Sequence, residues 1–205
     1  SDFIVEQVDG NFGFSRYAER LGRSANSFDD LHEALNQEPT FIDEITLDIL
    51  QQHVQKHSPT LVCFSVPFPG NLYSAFRCAQ YLKNNFPAVK TAMGGGFPNT
   101  ELRSLKEPRV FDYFDFITLD DGELPIELLV NHLKTGKNEF KRTFYRKDKE
   151  VGYCNNSLQQ DYKQNEVGTP DYSNLLTTKY ISVIEIANPM HSLWSDGRWN
   201  KLTMA

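Results

Sequence analysis

The stretch TLVCFSVPFPGNLYSAFRCAQYLKNNFPAVKTAMGGG, residues Thr60–Gly96, decides the fold. It reads as an apolar strand, a break rich in proline and glycine, an amphipathic helix, a second strand and three consecutive glycines. This order predicts two parallel strands joined by a crossover helix. Ligands of such open sheets bind outside the carboxyl ends of the strands, so Gly94–Gly96 mark the edge where we expect a ligand.

The neighbouring segments extend the same pattern. Apolar residues recur at helical spacing over 41–57, and a strand over 114–119 leads into a helix that ends near Lys134. Further on, 142–146 and 150–154 flank a polar turn and predict a β-hairpin at the sheet edge. We therefore expect an α/β fold, a doubly wound and mostly parallel sheet with a C-terminal β-hairpin and linker.

The pattern divides the chain into three parts. The first is an α/β domain over 1–136, with a helical N-terminal segment at 1–57 and a core at 58–136. Residues 137–169 form the hairpin and a polar linker, and 170–205 form a last segment. Its strand-like run at Tyr180–Ile186 is followed by no further core-forming element, so we expect the natural polypeptide to continue.

Composition and charge argue against several classes of protein. The net charge is −6 and no basic cluster stands out, which is atypical of a nucleic-acid surface. No apolar run approaches the roughly 20 residues that cross a bilayer, so we expect a cytoplasmic protein without membrane contact. The three cysteines are far apart, which favours neither a disulfide framework nor a metal site, and Cys63 and Cys78 are expected in the core.

The glycine cluster and the end of the first strand form the candidate ligand site. Glycine lacks a Cβ, so Gly94–Gly96 would let a flat ligand lie against the backbone, and Ser65 could hydrogen-bond it. Val66, Pro67 and Phe97 would supply apolar contact. The simpler alternative is a strand-to-loop turn that needs a positive φ.

Two polar groups allow a structural and a functional interpretation. Asp120, Asp121 and Glu123 precede a helix, where negative charge is favourable, and we expect Asp121 to cap that helix. A ligand role for them is secondary. His53 and His57 stand four residues apart on a helix, which suits either a solvated face or a pair of metal ligands without a third.

Three segments carry a resemblance to a known family. FSVPFPGNLYSAFRCAQYLKNNFP, AMGGGFPNTELR and FDYFDFITLDDGELPIELL resemble the cobalamin-binding domain at the N-terminus of radical S-adenosylmethionine enzymes, over about residues 40–134. The family has a small polar residue at the place of Ser65, a Gly-Gly pair within 94–96, and an acidic-Gly-Glu turn at 121–123. The resemblance implies a Rossmann- or flavodoxin-like fold.

The resemblance also implies a cofactor and a partner domain. The implied cobalamin contacts are Ser65, Val66, Pro67, Gly94, Gly95, Gly96, Phe97, Asp121, Gly122 and Glu123. Residues 170–205 resemble the run into a radical barrel, whose CxxxCxxC motif would bind a four-iron four-sulfur cluster together with S-adenosylmethionine. That motif is absent from this chain, so methyl transfer or related radical chemistry is expected only of the full-length enzyme.

Departures from the family leave alternatives open. The chain has no DxHxxG motif, so no protein histidine is expected to bind cobalt, and no first strand is evident before Thr60. A degenerate, cofactor-free domain with a structural or substrate-recruiting role is the alternative. A receiver-like domain ranks last, since Asp120 is its only candidate for a phosphorylated aspartate.

Overall fold

A computed structural model describes residues 2–10, 18, 21, 27–169 and 171. Its helices are α1 (Asp2–Gln7), α2 (Asp29–Asn36), α3 (Phe41–His57), α4 (Leu72–Asn85), α5 (Gly96–Glu101), α6 (Glu123–Thr135) and α7 (Gln164–Val167). The strands are β1 (Leu61–Ser65), β2 (Lys90–Gly94), β3 (Phe116–Thr118), β4 (Thr143–Lys147) and β5 (Glu150–Cys154). Short 3₁₀ turns occupy Pro69–Asn71 and Pro108–Asp112.

The chain divides into two compact units, Ser1–Lys163 and Gln164–Ala205. The first unit contains the whole sheet and helices α1 to α6. In the second unit the described structure is limited to α7 and the few residues beside it. The strand expected at Tyr180–Ile186, and the rest of the segment 170–205 apart from Asp171, lie outside the described residues.

The sheet has five strands in the order β1-β2-β3-β4-β5. β1, β2 and β3 are parallel, whereas β4 runs antiparallel to β3 and β5 antiparallel to β4. The α/β class and the hairpin predicted from the sequence are therefore confirmed. The result is an open mixed sheet whose parallel strands are joined by helices.

Apolar side chains pack on both faces of this sheet, as the alternation of side chains along a strand requires. The first core contains Met93 and Ile117 from the strands, packed with Phe76 of α4. The second core contains their sequence neighbours Ala92 and Phe116, packed with Leu129 of α6 and with Phe140. Helices thus contribute to a core on each side of β2 and β3.

Strand β1 is covered on one face only at its carboxyl end. Cys63 and Ser65 are exposed, so the prediction that Cys63 lies in the core is wrong. Two causes explain this: among the described strands β1 pairs only with β2, and the second core reaches Leu61 but not Cys63. Cys78 in α4 is partly buried. The sheet surface at the carboxyl end of β1 therefore stays open.

The helices begin in different ways. Helix α5 begins at Gly96, directly after the strand exit. Helix α4 begins at Leu72, with Asn71 as its N-cap residue and without a side-chain capping hydrogen bond. By contrast, Thr40 starts α3 with a capping box: its hydroxyl accepts from the Asp43 amide, and the Asp43 carboxylate accepts from the Thr40 amide.

A buried polar cluster joins three helices on the side of the first core. Arg77 of α4 lies with its Nε 3.2 Å from the Asp43 carboxylate of α3, and the two side chains are 5% and 3% exposed. Tyr73 donates its hydroxyl hydrogen to the same carboxylate at 2.6 Å. The Arg77 guanidinium also donates to the carbonyls of Ala34 and Leu35 at the end of α2. These contacts fix α2 and α3 against α4.

Candidate functional site

A cavity of about 290 Å³ opens where the three parallel strands end. It lies at the edge that the sequence predicts for a ligand, the carboxyl ends of β1 to β3. The lining residues are Cys63, Phe64, Ser65, Ala92, Met93, Gly94, Gly95, Thr118, Asp120, Gly122 and Ile126. The site is therefore made of three strand ends, the turn after β3 and the first turns of α6.

Three residues form a row across the sheet at the floor of this cavity. Ser65 of β1 is the register partner of Gly94 in β2. Thr118 of β3 lies on the other side of Gly94, because the pairs Ala92↔Phe116 and Met93↔Ile117 continue to it. Neighbouring strands are about 4.8 Å apart, so the axes of β1 and β3 lie about 10 Å apart, with β2 between them. Gly94 places no side chain between Ser65 and Thr118, and we call this space above Gly94 the gap.

The hydroxyl of Thr118 is the most informative polar group in the row. Thr118 is only 6% exposed, and its hydroxyl takes part in no hydrogen bond of the described part of the chain. A Cβ added at Gly94 would lie 3.0 Å from this Oγ1. Glycine at this position therefore leaves the hydroxyl accessible from the cavity, where a ligand or water can bind it.

The other two glycines of the triplet serve backbone packing. Gly95 has φ +104°, and a Cβ there would lie 2.8 Å from the Val66 nitrogen. A Cβ at Gly96 would lie 2.6 Å from the Pro67 carbonyl oxygen. The Phe97 amide donates to the Val66 carbonyl at 2.9 Å and holds the two strand exits together. The turn with a positive φ, the simpler alternative in the sequence, is thus present at Gly95.

The turn after β3 forms the rim of the cavity, and we call Leu119–Gly122 the rim turn. Asp120 has φ +61°, and its amide donates to the Asn99 side-chain oxygen at 2.6 Å. Its carboxylate pairs with Arg103 and lies 3.6 Å from the Nε of Arg142. The prediction that Asp121 caps α6 is wrong, because the N-cap residue is Gly122 and no side chain caps this helix.

The structure brings together part of the predicted site. Ser65, Gly94, Gly95 and Gly122 line the cavity. Val66 and Phe97 are buried in the first core, and Pro67, Asp121 and Glu123 are exposed outside the lining. Gly96 packs against Pro67 as described above. Sequence reasoning missed Thr118, although its place at the end of the third strand corresponds to that of Ser65 at the end of the first.

No protein-family model, curated protein or solved structure matches this chain. The site is therefore assigned from its own geometry.

A larger cavity of about 440 Å³ lies between α2, α4 and α5 and includes Phe97 in its lining. Its Arg109 is already held by Asp29 at 2.7 Å and by Glu107 at 2.8 Å. The two hydroxyl-bearing residues in its described lining, Ser27 and Ser104, are both exposed. We favour the smaller cavity because its polar groups converge on one gap at the strand ends.

The described residues offer no cluster of metal-binding side chains. In that part of the chain, no three or more His, Cys, Asp or Glu side chains form a group that could hold a metal ion. His53 and His57 stack with ring centroids 6.0 Å apart on α3. None of the described helices is long and apolar enough to cross a bilayer.

Proposed function

We propose that this chain is the cobalamin-binding module of a radical S-adenosylmethionine enzyme, and that Ser65 and Thr118 bind the nucleotide tail of the cofactor. The observation that carries the proposal is the row Ser65-Gly94-Thr118, in which two hydroxyls that make no hydrogen bond within the described part of the chain flank a position without a side chain. Its location at the carboxyl ends of parallel strands agrees with the family resemblance. The proposal includes a doubly wound, Rossmann- or flavodoxin-like arrangement, supported by the cores on both sheet faces.

The dimensions of the cavity decide which part of the cofactor it suits. Small-molecule pockets span about 300–1,000 Å³, so a cavity of about 290 Å³ is at the lower limit. It suits a flat bicyclic base rather than a whole corrin ring. The base carries a ring nitrogen that accepts a hydrogen bond, which Ser65 or Thr118 can donate. The corrin would then lie outside the cavity, on the side where Pro67 is exposed after β1.

The remaining predicted residues have supporting roles in this proposal. Gly94 keeps the sheet surface clear, and Ile126 of α6 adds an apolar side to the cavity. Val66, Gly96 and Phe97 act indirectly, since they hold Gly95 in place. Asp121, Gly122 and Glu123 lie at or beside the rim, and the proposal gives cobalt no histidine ligand from this chain.

The chemistry of the full-length enzyme is a further part of the proposal. When bound, cobalamin supplies a cobalt centre suited to methyl transfer or electron transfer. The radical barrel, with its iron–sulfur cluster and S-adenosylmethionine, would be the partner domain. This chain would contribute binding and orientation, and its compartment is expected to be the cytoplasm, without nucleic-acid or membrane partners.

The experiment is a titration of the 205-residue chain with hydroxocobalamin and methylcobalamin, followed by desalting and visible absorbance. We expect retention near one corrin per chain. Thr118→Val removes the hydroxyl at nearly constant shape, and we expect it to weaken binding about tenfold. Thr46→Val in α3 is the matched control, because within the described residues the Thr46 hydroxyl bonds only to the Ile42 carbonyl of its own helix. Equal affinities of the two variants would contradict the assignment of Thr118.

The cofactor-free alternative has one observation in its favour. Phe41, Ile45 and Ile49 recur every fourth residue along α3, and all three are exposed. An exposed apolar row of this kind is typical of a surface that recruits another protein. If the chain retains no corrin, and Phe41→Ser/Ile45→Ser lowers the yield of the assembled full-length enzyme, the recruiting role is the better account.

A further inference from the structure

The rim turn is connected to the β-hairpin by one arginine at the start of β4. The Arg142 guanidinium donates to the carbonyls of Leu119 and Asp121, both at 3.2 Å. Its Nε lies 3.6 Å from the Asp120 carboxylate. Arg142 therefore contacts three of the four residues of the turn that closes the cavity.

The backbone on both sides of this contact is in an unfavourable conformation. Asp120 has φ +61° and Arg142 has φ +45°, and neither is glycine. The two lie close together, because the Leu119 amide donates to the Arg142 carbonyl at 3.0 Å. Left-handed backbone at such residues persists only where the surroundings impose it. The rim turn is held in this form by that backbone hydrogen bond and by the side chains of Asn99, Arg103 and Arg142.

The contact that orients Arg142 comes from the polar segment after the hairpin. Asp161 accepts two hydrogen bonds from the guanidinium, at 2.7 Å and 2.6 Å, in the bidentate geometry that fixes an arginine most firmly. The Arg142 side chain is 14% exposed, so this pair is shielded from water more than most surface pairs. Asp161 thus contacts Arg142, and Arg142 in turn contacts the rim turn.

We infer that Arg142 and Asp161 are positioning residues for the cavity, and that the segment after the hairpin controls how firmly the rim closes over a ligand. This inference deepens the proposed function and rests on it for the identity of the ligand. Without the bidentate pair, the guanidinium loses its orientation and Asp120 loses part of the force that holds its left-handed backbone. The rim turn then opens more often, and a ligand between Ser65 and Thr118 dissociates faster.

The test compares two aspartates that pair with arginines of the same strand. Asp161→Asn breaks the bidentate pair with Arg142. Asp112→Asn breaks the pair of Arg146, at the other end of β4, where Arg146 also donates to the Pro108 carbonyl. Arg142→Lys is added because lysine keeps the charge but cannot form the bidentate geometry.

Two quantities are measured on each full chain: the affinity for hydroxocobalamin, and the deuterium uptake of the peptide covering the rim turn. We expect Asp161→Asn and Arg142→Lys to weaken binding about tenfold and to raise uptake in the rim turn. Asp112→Asn should change neither quantity.

Each result separates the inference from the proposed function. Equal affinity and equal uptake in Asp161→Asn and Asp112→Asn would overturn the positioning role while the cofactor assignment stands. If the wild-type chain binds no corrin but Asp161→Asn alone raises uptake in the rim turn, the positioning role stands and the cofactor assignment fails. If no variant differs from the wild type and no corrin binds, both fail.

Discussion

The side chains of Arg77 and Asp43 form a salt bridge of 3.2 Å in the interior, with Tyr73 as a third member. Each charge is almost fully removed from water, so each depends on the other for compensation. The cluster also holds the carbonyl end of α2. It is a buried polar link between α2, α3 and α4.

Replacing one member of this pair should destabilise the chain strongly. Arg77→Met leaves the Asp43 carboxylate buried without its counter-charge, and we expect a loss of about 3–5 kcal/mol in the free energy of unfolding. Arg146→Met removes an exposed pair of the same type and should cost less than about 1 kcal/mol. Urea unfolding measures both. Adding Asp43→Leu to Arg77→Met should recover part of the loss, and a further loss in the double variant would contradict this account.

Tyr73 should make stability fall at high pH. Burial first, and then its hydrogen bond to Asp43, raise the pKa of Tyr73 to about 12. Its pKa in the unfolded chain is about 10, so between these values the unfolded state loses the proton while the folded state keeps it. The contribution of Tyr73 is therefore complete below pH 10 and is lost as pH rises toward 12. Urea midpoints of wild type and Tyr73→Phe should converge across this window, and a constant difference would argue against it.

Asp115 should make stability fall in acid. Burial alone would raise its pKa, but the hydrogen bond from Lys83, the Thr91 amide and the charges of Lys83 and Lys90 outweigh burial and hold the pKa below the ordinary value of 3.8. The contribution is complete above the ordinary value and is lost as pH falls through the lowered one. Thermal unfolding of Asp115→Asn should accordingly change less between pH 5 and about pH 2 than that of the wild type. Parallel curves would show that Asp115 does not carry the effect.

Gly95 should tolerate alanine much less well than Gly136. Both have a positive φ, but a Cβ at Gly95 would meet the Val66 backbone, whereas nothing lies within 4 Å at Gly136. The left-handed backbone of an alanine alone lowers the free energy of unfolding by about 1–2 kcal/mol at either position. Gly95→Ala also displaces the backbone at the exit of β1, so it should lower the free energy of unfolding clearly more than Gly136→Ala. The denaturant midpoints of the two variants measure this difference. Equal losses of stability would mean that the exits of β1 and β2 can separate without strain.

The arrangement of the parallel strands was predictable because it depends on short-range patterns. Apolar runs with proline and glycine breaks located β1, β2 and their crossover helix to within a residue or two. The hairpin followed from a polar turn between two strand-like segments. In these places the local preference and the tertiary structure agree.

The details of the site were less predictable because they depend on contacts between distant segments. Cys63 is exposed because the second core does not reach it. The sequence of its own strand does not encode which segments cover the sheet. Thr118 became a candidate only once the register placed it beside Gly94. Asp121 looked like a cap, but the backbone enters α6 one residue later, at Gly122. The errors at Cys63 and Thr118 come from partners that lie far away in the sequence, whereas the error at Asp121 is a local shift of one residue.

The row Ser65-Gly94-Thr118 also bears on the order in which the molecule folds. Its members come from three strands, with the crossover helix α4 between the first two and the loop with the Pro108–Asp112 turn between the last two. No one strand, and no pair of strands, brings both hydroxyls to the gap. Any ligand that needs both therefore binds only the completed parallel sheet, and by mass action it stabilises that state over every partly folded one. During synthesis, the ligand would bind only after all three parallel strands have assembled, and it would stabilise only the chains in which they have done so.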